Sequence, residues 1–301
     1  MLTRFLLRLL RILRNEKTLH KHHQATQMML GKLLCNQQRI APIRSIQDAE
    51  FQVFSQWGDD GIIQYLIHSV QIQSRTFVEF GVEDYRESNT RFLLMNNNWQ
   101  GLIMDGSPNN IAKIRRDDLY WRYDVTAAQA FVTAENINAL ISDNGFADEI
   151  GVLHIDVDGM DYWIWKAITC VQPTIVIVEY NSVLGVDRSI TVPYRPDFDR
   201  TKAHFTNLFF GSSLLALCDL AEEKGYLFVG SNSNGNNAYF VRKDRIGTVP
   251  PIAPEDGYVA SASRESRTRD GHLSFISRQY RLSAVMGLPV YNTRSKKIES
   301  L

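Results

Sequence analysis

Residues 76–106, TFVEFGVEDYRESNTRFLLMNNNWQGLIMDG, decide the fold. The β-branched and aromatic run at 76–81 predicts a buried strand. A polar loop follows, Ser88 or Asn89 can cap the amphipathic stretch after it, and a second apolar run occupies 101–106. Strand, helix and strand in so short a span define a crossover unit, which joins parallel strands. Outward from this unit the rhythm repeats, with further strands predicted at 121–125 (WRYDV), 151–159 (GVLHIDVDG), 174–181 (TIVIVEYN), 226–231 (YLFVGS) and 237–243 (NAYFVRK). Asp59 or Asp60 can cap a helix carrying Ile62, Ile63, Leu66, Ile67 and Val70 on its inner stripe. Other helices are expected over 108–117, 127–143, 161–170 and 212–224, the last stopped by Gly225. The final two strands are joined only by NSNGNN and form an antiparallel hairpin. The expected class is therefore α/β, with a seven-stranded, mainly parallel sheet and helices on both faces.

The chain has 301 residues, and its 33 Lys and Arg balance 33 Asp and Glu, which gives no whole-chain attraction to nucleic acid. The balance conceals a basic head. Residues 1–45 carry nine basic groups against the single acid Glu16, a net of +8. In residues 2–14, LTRFLLRLLRILR, arginine interrupts the apolar run every three or four positions, so neither a signal-peptide core nor a transmembrane span is expected. On a helical wheel Arg4, Arg8, Arg11 and Arg14 cluster opposite Phe5, Leu6, Leu9, Leu10 and Leu13. Such a helix can lie on an anionic membrane surface, or dock its leucines on protein. His20, His22 and His23 lack acidic or cysteine company and read as solvated. Cys35, Cys170 and Cys218 are far apart, which fits a reducing, cytoplasmic setting, peripheral at the inner face of a membrane if the head binds lipid. The organisation expected is a helical extension over 1–45, an α/β domain over 46–250, and a polar linker with a helical tail over 251–301. Residues 182–211 are too long for an ordinary connection and read as a substrate loop or lid. A last helical pattern spans 272–286.

In an open α/β sheet ligands settle beyond the carboxyl ends of the strands. Here those ends are acidic: Glu79, then Glu83 and Asp84, then Asp105, Asp124, Asp156, Asp158 and Glu179. Carboxylates gathered at one edge repel unless a cation or hydroxyl donors meet them. S-adenosylmethionine offers both, through its sulfonium, its ammonium and its ribose. A nicotinamide dinucleotide also places an acid on a ribose, but the loop GVEDYRES has one glycine and three acids, which repel a pyrophosphate.

The segments FSQWGDDGIIQYL, FVEFGVEDYRESNT, GLIMDGS, LHIDVDGMDYWIWKAI, IVIVEYN and NAYFVR, in that order, resemble the FkbM-type class I methyltransferases, particularly the branch associated with bacterial surface polysaccharides. The resemblance covers roughly residues 51–244. It implies a Rossmann-like sheet of order 3-2-1-4-5-7-6 and methyl transfer from S-adenosylmethionine to a hydroxyl, often on a sugar. It further implies that Glu79 and Gly81 face the methionine part, Asp105 the ribose hydroxyls and Asp124 the adenine amino group. Ser55, Gln56 and Asp59 would lie over the same pocket, with Asn89, Thr90 and Ser107 completing the cofactor set. Class I enzymes commonly continue strand one as E/D-x-G-x-G-x-G, whereas this chain has Glu83 and Tyr85 at the later glycine positions.

Methylating an alcohol requires a base at the hydroxyl or a metal that lowers its pKa. His154, Asp156 and Asp158 are the catalytic candidates, and Asp156, Asp158, Glu179 and Asn181 can offer oxygens to Mg2+ or another divalent cation. Equally, Asp161 can cap the next helix, Asp158 can brace a turn and His154 can be a core residue. Trp57, Trp163, Trp165, Tyr180 and Tyr194 offer flat faces for a saccharide or glycan-precursor substrate, or fill the core. Two other functions stay open. Asp156-Val157-Asp158 matches the D-x-D of metal-dependent glycosyltransferases, and the basic head suits a non-catalytic scaffold of glycan assembly. A homo-oligomer is also compatible with the sequence.

Overall fold

The computed structural model describes the backbone of residues 2–301 and the side chains of Leu19 and of residues 21–301. A seven-stranded sheet forms the centre. Its members are β1 (Thr76–Phe80), β2 (Gln100–Asp105), β3 (Val125–Gln129), β4 (Asp148–Ile155), β5 (Val171–Glu179), β7 (Tyr226–Ser231) and β8 (Asn237–Arg242), while β6 (Ile190–Thr191), β9 (Pro289–Asn292) and β10 (Lys297–Ser300) make a second, small sheet. The large sheet has the order β3-β2-β1-β4-β5-β8-β7. The first five strands are parallel, and β8 runs antiparallel to both β5 and β7. This is the expected topology, with the terminal hairpin renumbered because β6 intervenes in the chain.

Strand alternation feeds two cores. Val78 and Phe80, Leu153 and Ile155, and Val176 and Val178 pack on one face. Phe77, Val152, Ile175 and Ile177 pack on the other. Because both faces are covered, the central strands read as continuous apolar runs. The helix Leu214–Lys224 starts at Ser213, whose side chain accepts from Ala216 N, and ends at Gly225 in the left-handed conformation (φ 83°).

Several elements differ from expectation. The run WRYDV is not a strand: Asp118–Arg122 is helical, capped by the Asp117 side chain, and β3 begins at Val125. The alanine-containing segment VTAAQ makes the strand because pairing with β2 overrides its modest β-propensity. The helix expected over 127–143 shrinks to Ile137–Asp143. Gly58 rather than Asp59 or Asp60 caps the helix Asp59–Ser69, and Thr90 rather than Ser88 or Asn89 precedes Arg91–Asn97. The pattern at 272–286 yields only the single turn Arg278–Arg281, and the tail ends in the β9–β10 hairpin, with Val285, Val290 and Leu301 joining the first core.

A long helix, Leu2–Gln38, precedes the sheet domain. Its later half docks along Gln24, Met28, Gly31, Cys35 and Gln38. Gly31 allows close approach, since a Cβ there would lie 2.8 Å from the Phe92 ring. Gln38 donates to Ala49 O and Gly61 O at 2.6 and 3.0 Å. The arginine and leucine faces of residues 2–14, and His20, lie outside the described side chains; His22 and His23 are exposed. Among the described residues no helix is long and apolar enough to cross a membrane.

Candidate functional site

One cavity of about 1210 Å³ opens over the carboxyl ends of β1, β2, β4 and β5. Small-molecule pockets commonly measure about 300–1,000 Å³, so this cleft is a large one. Gln56, Trp57, Gly81, Glu83, Asp105 and Ser107 line one flank, and Phe131 and Thr133, just beyond β3, close it. The 182–211 segment supplies Tyr194, Arg195, Phe198 and Arg200 to the opposite wall, and the hairpin loop supplies Asn234, Asn236 and Asn237.

The loop after β1 keeps left-handed backbone at alternate positions: Gly81 (φ 72°), Glu83 (φ 48°) and Tyr85 (φ 60°). Glycine ordinarily carries such conformations, and each non-glycine here costs about 1–2 kcal/mol. Only Gly81 is sterically obligatory, because a Cβ there would fall 1.9 Å from the Asp156 carbonyl oxygen. Tyr85 does not obstruct the cavity. It is 1% exposed, turned into the second core, with its hydroxyl 2.9 Å from Thr90 Oγ1.

Glu79 holds this loop. One carboxylate oxygen accepts from Asn89 N (3.1 Å) and faces His154 Nδ1 at 2.8 Å; the other accepts from Ser88 Oγ (2.6 Å), Thr90 N (3.2 Å) and Thr90 Oγ1. Burial alone would raise the Glu79 pKa and lower that of His154, but their contact outweighs it, so Glu79 moves down and His154 up. The pair is ionic. The Asn89 carboxamide lies 3.1 Å from His154 Nε2, which leaves the ring with no free nitrogen. Two expectations change here. His154 is the buried counter-ion of Glu79 and not a base for substrate, and Thr90, fully buried, serves Glu79 and does not line the cavity.

Asp105 sits half-buried at the tip of β2. Its oxygens accept from Glu83 N (2.9 Å), Ser107 N (2.8 Å) and Asn110 Nδ2 (3.0 Å), which fixes the carboxylate beside the first loop with lone pairs to spare. Asp124 lies elsewhere. It precedes β3, is exposed, and its backbone carbonyl accepts from Gly101 N, at the edge of the sheet remote from the cavity. Misplacing β3 by four residues caused that error and concealed Phe131 and Thr133. Ser55 and Asp59 are also away from the cavity: Ser55 bonds Asp60, and Asp59 accepts from Asn232, Asn237 and Tyr239.

At the tips of β4 and β5, one oxygen each from Asp156, Asp158 and Glu179 falls within 4.8 Å of the others. Burial first, then Asp158, raises the Asp156 pKa to about 6. Burial and Asp156 push Glu179 well up, and its Oε2 is buried with no hydrogen-bond partner. Arg200 Nη1 lies 3.2 Å from Asp158. Asp161 braces the loop by accepting from Val157 N (2.8 Å) and Gly159 N (3.0 Å). Asn181 also lines the cavity; its Oδ1 accepts from Val183 N and its Nδ2 donates to the carbonyls of Leu208 and Phe210, which fixes the amide and leaves one lone pair on the oxygen. Trp57, Tyr180 and Tyr194 line the cavity, whereas Trp163 and Trp165 belong to the packed interior.

No family model matches the chain. None of the curated proteins matches it either. Solved structures do. The O-methyltransferase from Bacillus cereus in complex with SAH is 15% identical, with 59% of this chain and 76% of that chain covered and a TM-score of 0.35. The N-terminal domain of EvdMO1, in the presence of SAH and D-fucose, is 10% identical over 67% of this chain and 82% of that one, with a TM-score of 0.39. TehB from Haemophilus influenzae is 13% identical over 56% of this chain, which spans 57% of TehB, with a TM-score of 0.35. Strand order and direction define the fold as that of class I methyltransferases.

Proposed function

We propose that the protein is an S-adenosylmethionine-dependent O-methyltransferase of the FkbM type, acting on a hydroxyl of a saccharide or saccharide-linked acceptor. The observation that carries this reading is the pairing, in one cavity, of the Gly81–Asp105 corner with the acidic cluster of β4 and β5. The corner suits the donor: Gly81 lets the first loop pack against the Asp156 carbonyl at the cavity wall, and Asp105 presents a fixed carboxylate where ribose hydroxyls would need an acceptor. A bound S-adenosylmethionine would supply an electrophilic methyl carbon, the O–CH3 bond forming as the S–CH3 bond breaks and its electron pair returns to sulfur as a neutral thioether. Asp156 takes the proton released by the hydroxyl, and a pKa of about 6 keeps it mostly ionised at neutral pH yet basic enough to accept. Glu83 and Asp105 on the cavity flank favour a sulfonium over a phosphate.

The acids also fit a divalent cation. Asp156, Asp158 and Glu179 would hold it, and the unpartnered Glu179 Oε2 is the atom such an ion would satisfy. A bound cation there would lower the pKa of an acceptor hydroxyl. Calorimetric titration with S-adenosylmethionine and its demethylated product, with and without magnesium, tests the reading. Saturable binding of both supports it, and absence of binding to either overturns it.

A further inference from the structure

Arg281 is only 6% exposed, yet among the described residues no carboxylate lies within 4.0 Å of its guanidinium. Its Nε donates to Ile276 O at 3.1 Å and Nη2 donates to Ser263 O, which fixes the fork on backbone and leaves three of its five N–H groups uncommitted. The side chain lines the main cavity and also a side pocket of about 90 Å³ that it shares with Arg278, Ser182, Ser261 and Tyr258. Arg278 is held by its Nε on Ser261 O (2.9 Å), and it too has no acid within ion-pair distance among the described residues. Burial first, and then the neighbouring Arg278, lower the Arg281 pKa.

Ser182 Oγ accepts from Ser261 N, Ser261 Oγ from Ser263 N, and Ser263 Oγ from Glu265 N. None of these hydroxyls donates to a protein acceptor among the described residues; Ser182 and Ser261 line the side pocket with both arginines, and Ser263 lines the main cavity with Arg281. Burying an arginine without an acid is costly, and three of the Arg281 N–H groups have no protein acceptor among the described residues. Two guanidinium groups together carry two positive charges, which a dianionic phosphoryl group balances and a single carboxylate does not.

We infer that Arg278 and Arg281, with Ser182, Ser261 and Ser263, form a phosphoryl-binding subsite, so that the methyl acceptor is a phosphorylated saccharide. Assigning the phosphoryl to the acceptor rests on the methyl-transfer reading; the anion subsite itself does not. The subsite adjoins the segment after β5, two strands from β1 in the sheet, so its phosphate is kept from the acids of the first loop. A saccharide anchored there would extend its ring across the β4 and β5 tips toward Asp156.

The test is calorimetry on the full chain at low salt with inorganic phosphate, glucose 1-phosphate, glucuronate and glucose. Phosphate and glucose 1-phosphate should bind, and glucuronate and glucose should not. Arg278→Gln and Arg281→Gln should each weaken phosphate binding tenfold or more, about 1.4 kcal/mol. Should Arg281→Gln fail to fold, Arg278→Gln decides, because Arg278 is exposed and its loss leaves the core intact. No phosphate binding, unchanged binding in Arg278→Gln, or binding of glucuronate in place of phosphate would overturn the inference. S-adenosylmethionine is titrated into the same samples. A chain that binds phosphate but not the donor keeps the subsite and loses methyl transfer, and the converse result separates them the other way.

Discussion

Replacing Asp156 by Asn should stabilise the protein while abolishing turnover. The carboxyl ionises at about 6 in the fold against 3.8 in an open chain, chiefly because it is buried and secondly because Asp158 stands beside it. The native state therefore holds a proton between those values that the unfolded state has released, and stability falls as pH rises from about 4 to 6. Two pKa units correspond to roughly 3 kcal/mol of cost at neutral pH. The amide removes that charge but remains a partly buried polar group, so a gain of about 1–3 kcal/mol is expected. Urea unfolding at pH 4 and pH 7.5 reads it directly. The variant should match the parent at pH 4 and exceed it at pH 7.5, in buffer free of divalent ions. A variant that is less stable at pH 7.5, or whose advantage is the same at both values, would show that Asp156 is not held in a repulsive cluster. Magnesium at millimolar levels should narrow the gap by stabilising the parent alone.

Three further outcomes follow from other parts of the structure. Asp105→Ala should weaken S-adenosylmethionine binding tenfold or more by calorimetry, since the carboxylate that orders Glu83 N and Ser107 N is lost; unchanged affinity would remove β2 from the donor site. His154→Gln should cost about 1–3 kcal/mol in urea unfolding, because Glu79 keeps its Ser88, Asn89 and Thr90 donors but loses the imidazole contact. A cost below about 1 kcal/mol would mean the pair is neutral. Deleting residues 2–14 should release the protein from anionic liposomes in a flotation assay, and equal flotation of the truncated chain would return those leucines to a protein-docking role.

The sheet was legible because its central strands are covered on both faces, and runs such as TIVIVEY admit few other readings. β3 was not, since VTAAQ owes its conformation to pairing with β2 and carries little signal of its own. That one slip displaced Asp124 and hid Phe131 and Thr133. The acidic strand tips were legible as a group but not in their division of labour. Glu79 and Asp105 occupy similar sequence positions, yet five donors consume the first and leave the second partly free. Partners such as His154 and Thr90 can be assigned only once register places β4 beside β1. The arginines of the C-terminal segment gave no signal at all, because SRQYRLS reads as part of a helical pattern whose arginines would face solvent until Arg281 is seen to be buried.

The departure from the glycine-rich loop resolves on the same grounds. A glycine at the third left-handed position would relieve about 1–2 kcal/mol of backbone strain, but Tyr85 fills the second core and bonds Thr90, and a buried aromatic is worth about 3–5 kcal/mol when truncated. The ring thus outweighs the strain it imposes. Glycine is indispensable only where backbone approaches backbone, as at Gly81 against the Asp156 carbonyl. That contact ties the donor loop to the strand bearing the proposed base, so a change at Gly81 would disturb both halves of the cavity at once, whereas one at Tyr85 would act on stability and leave the cavity walls in place.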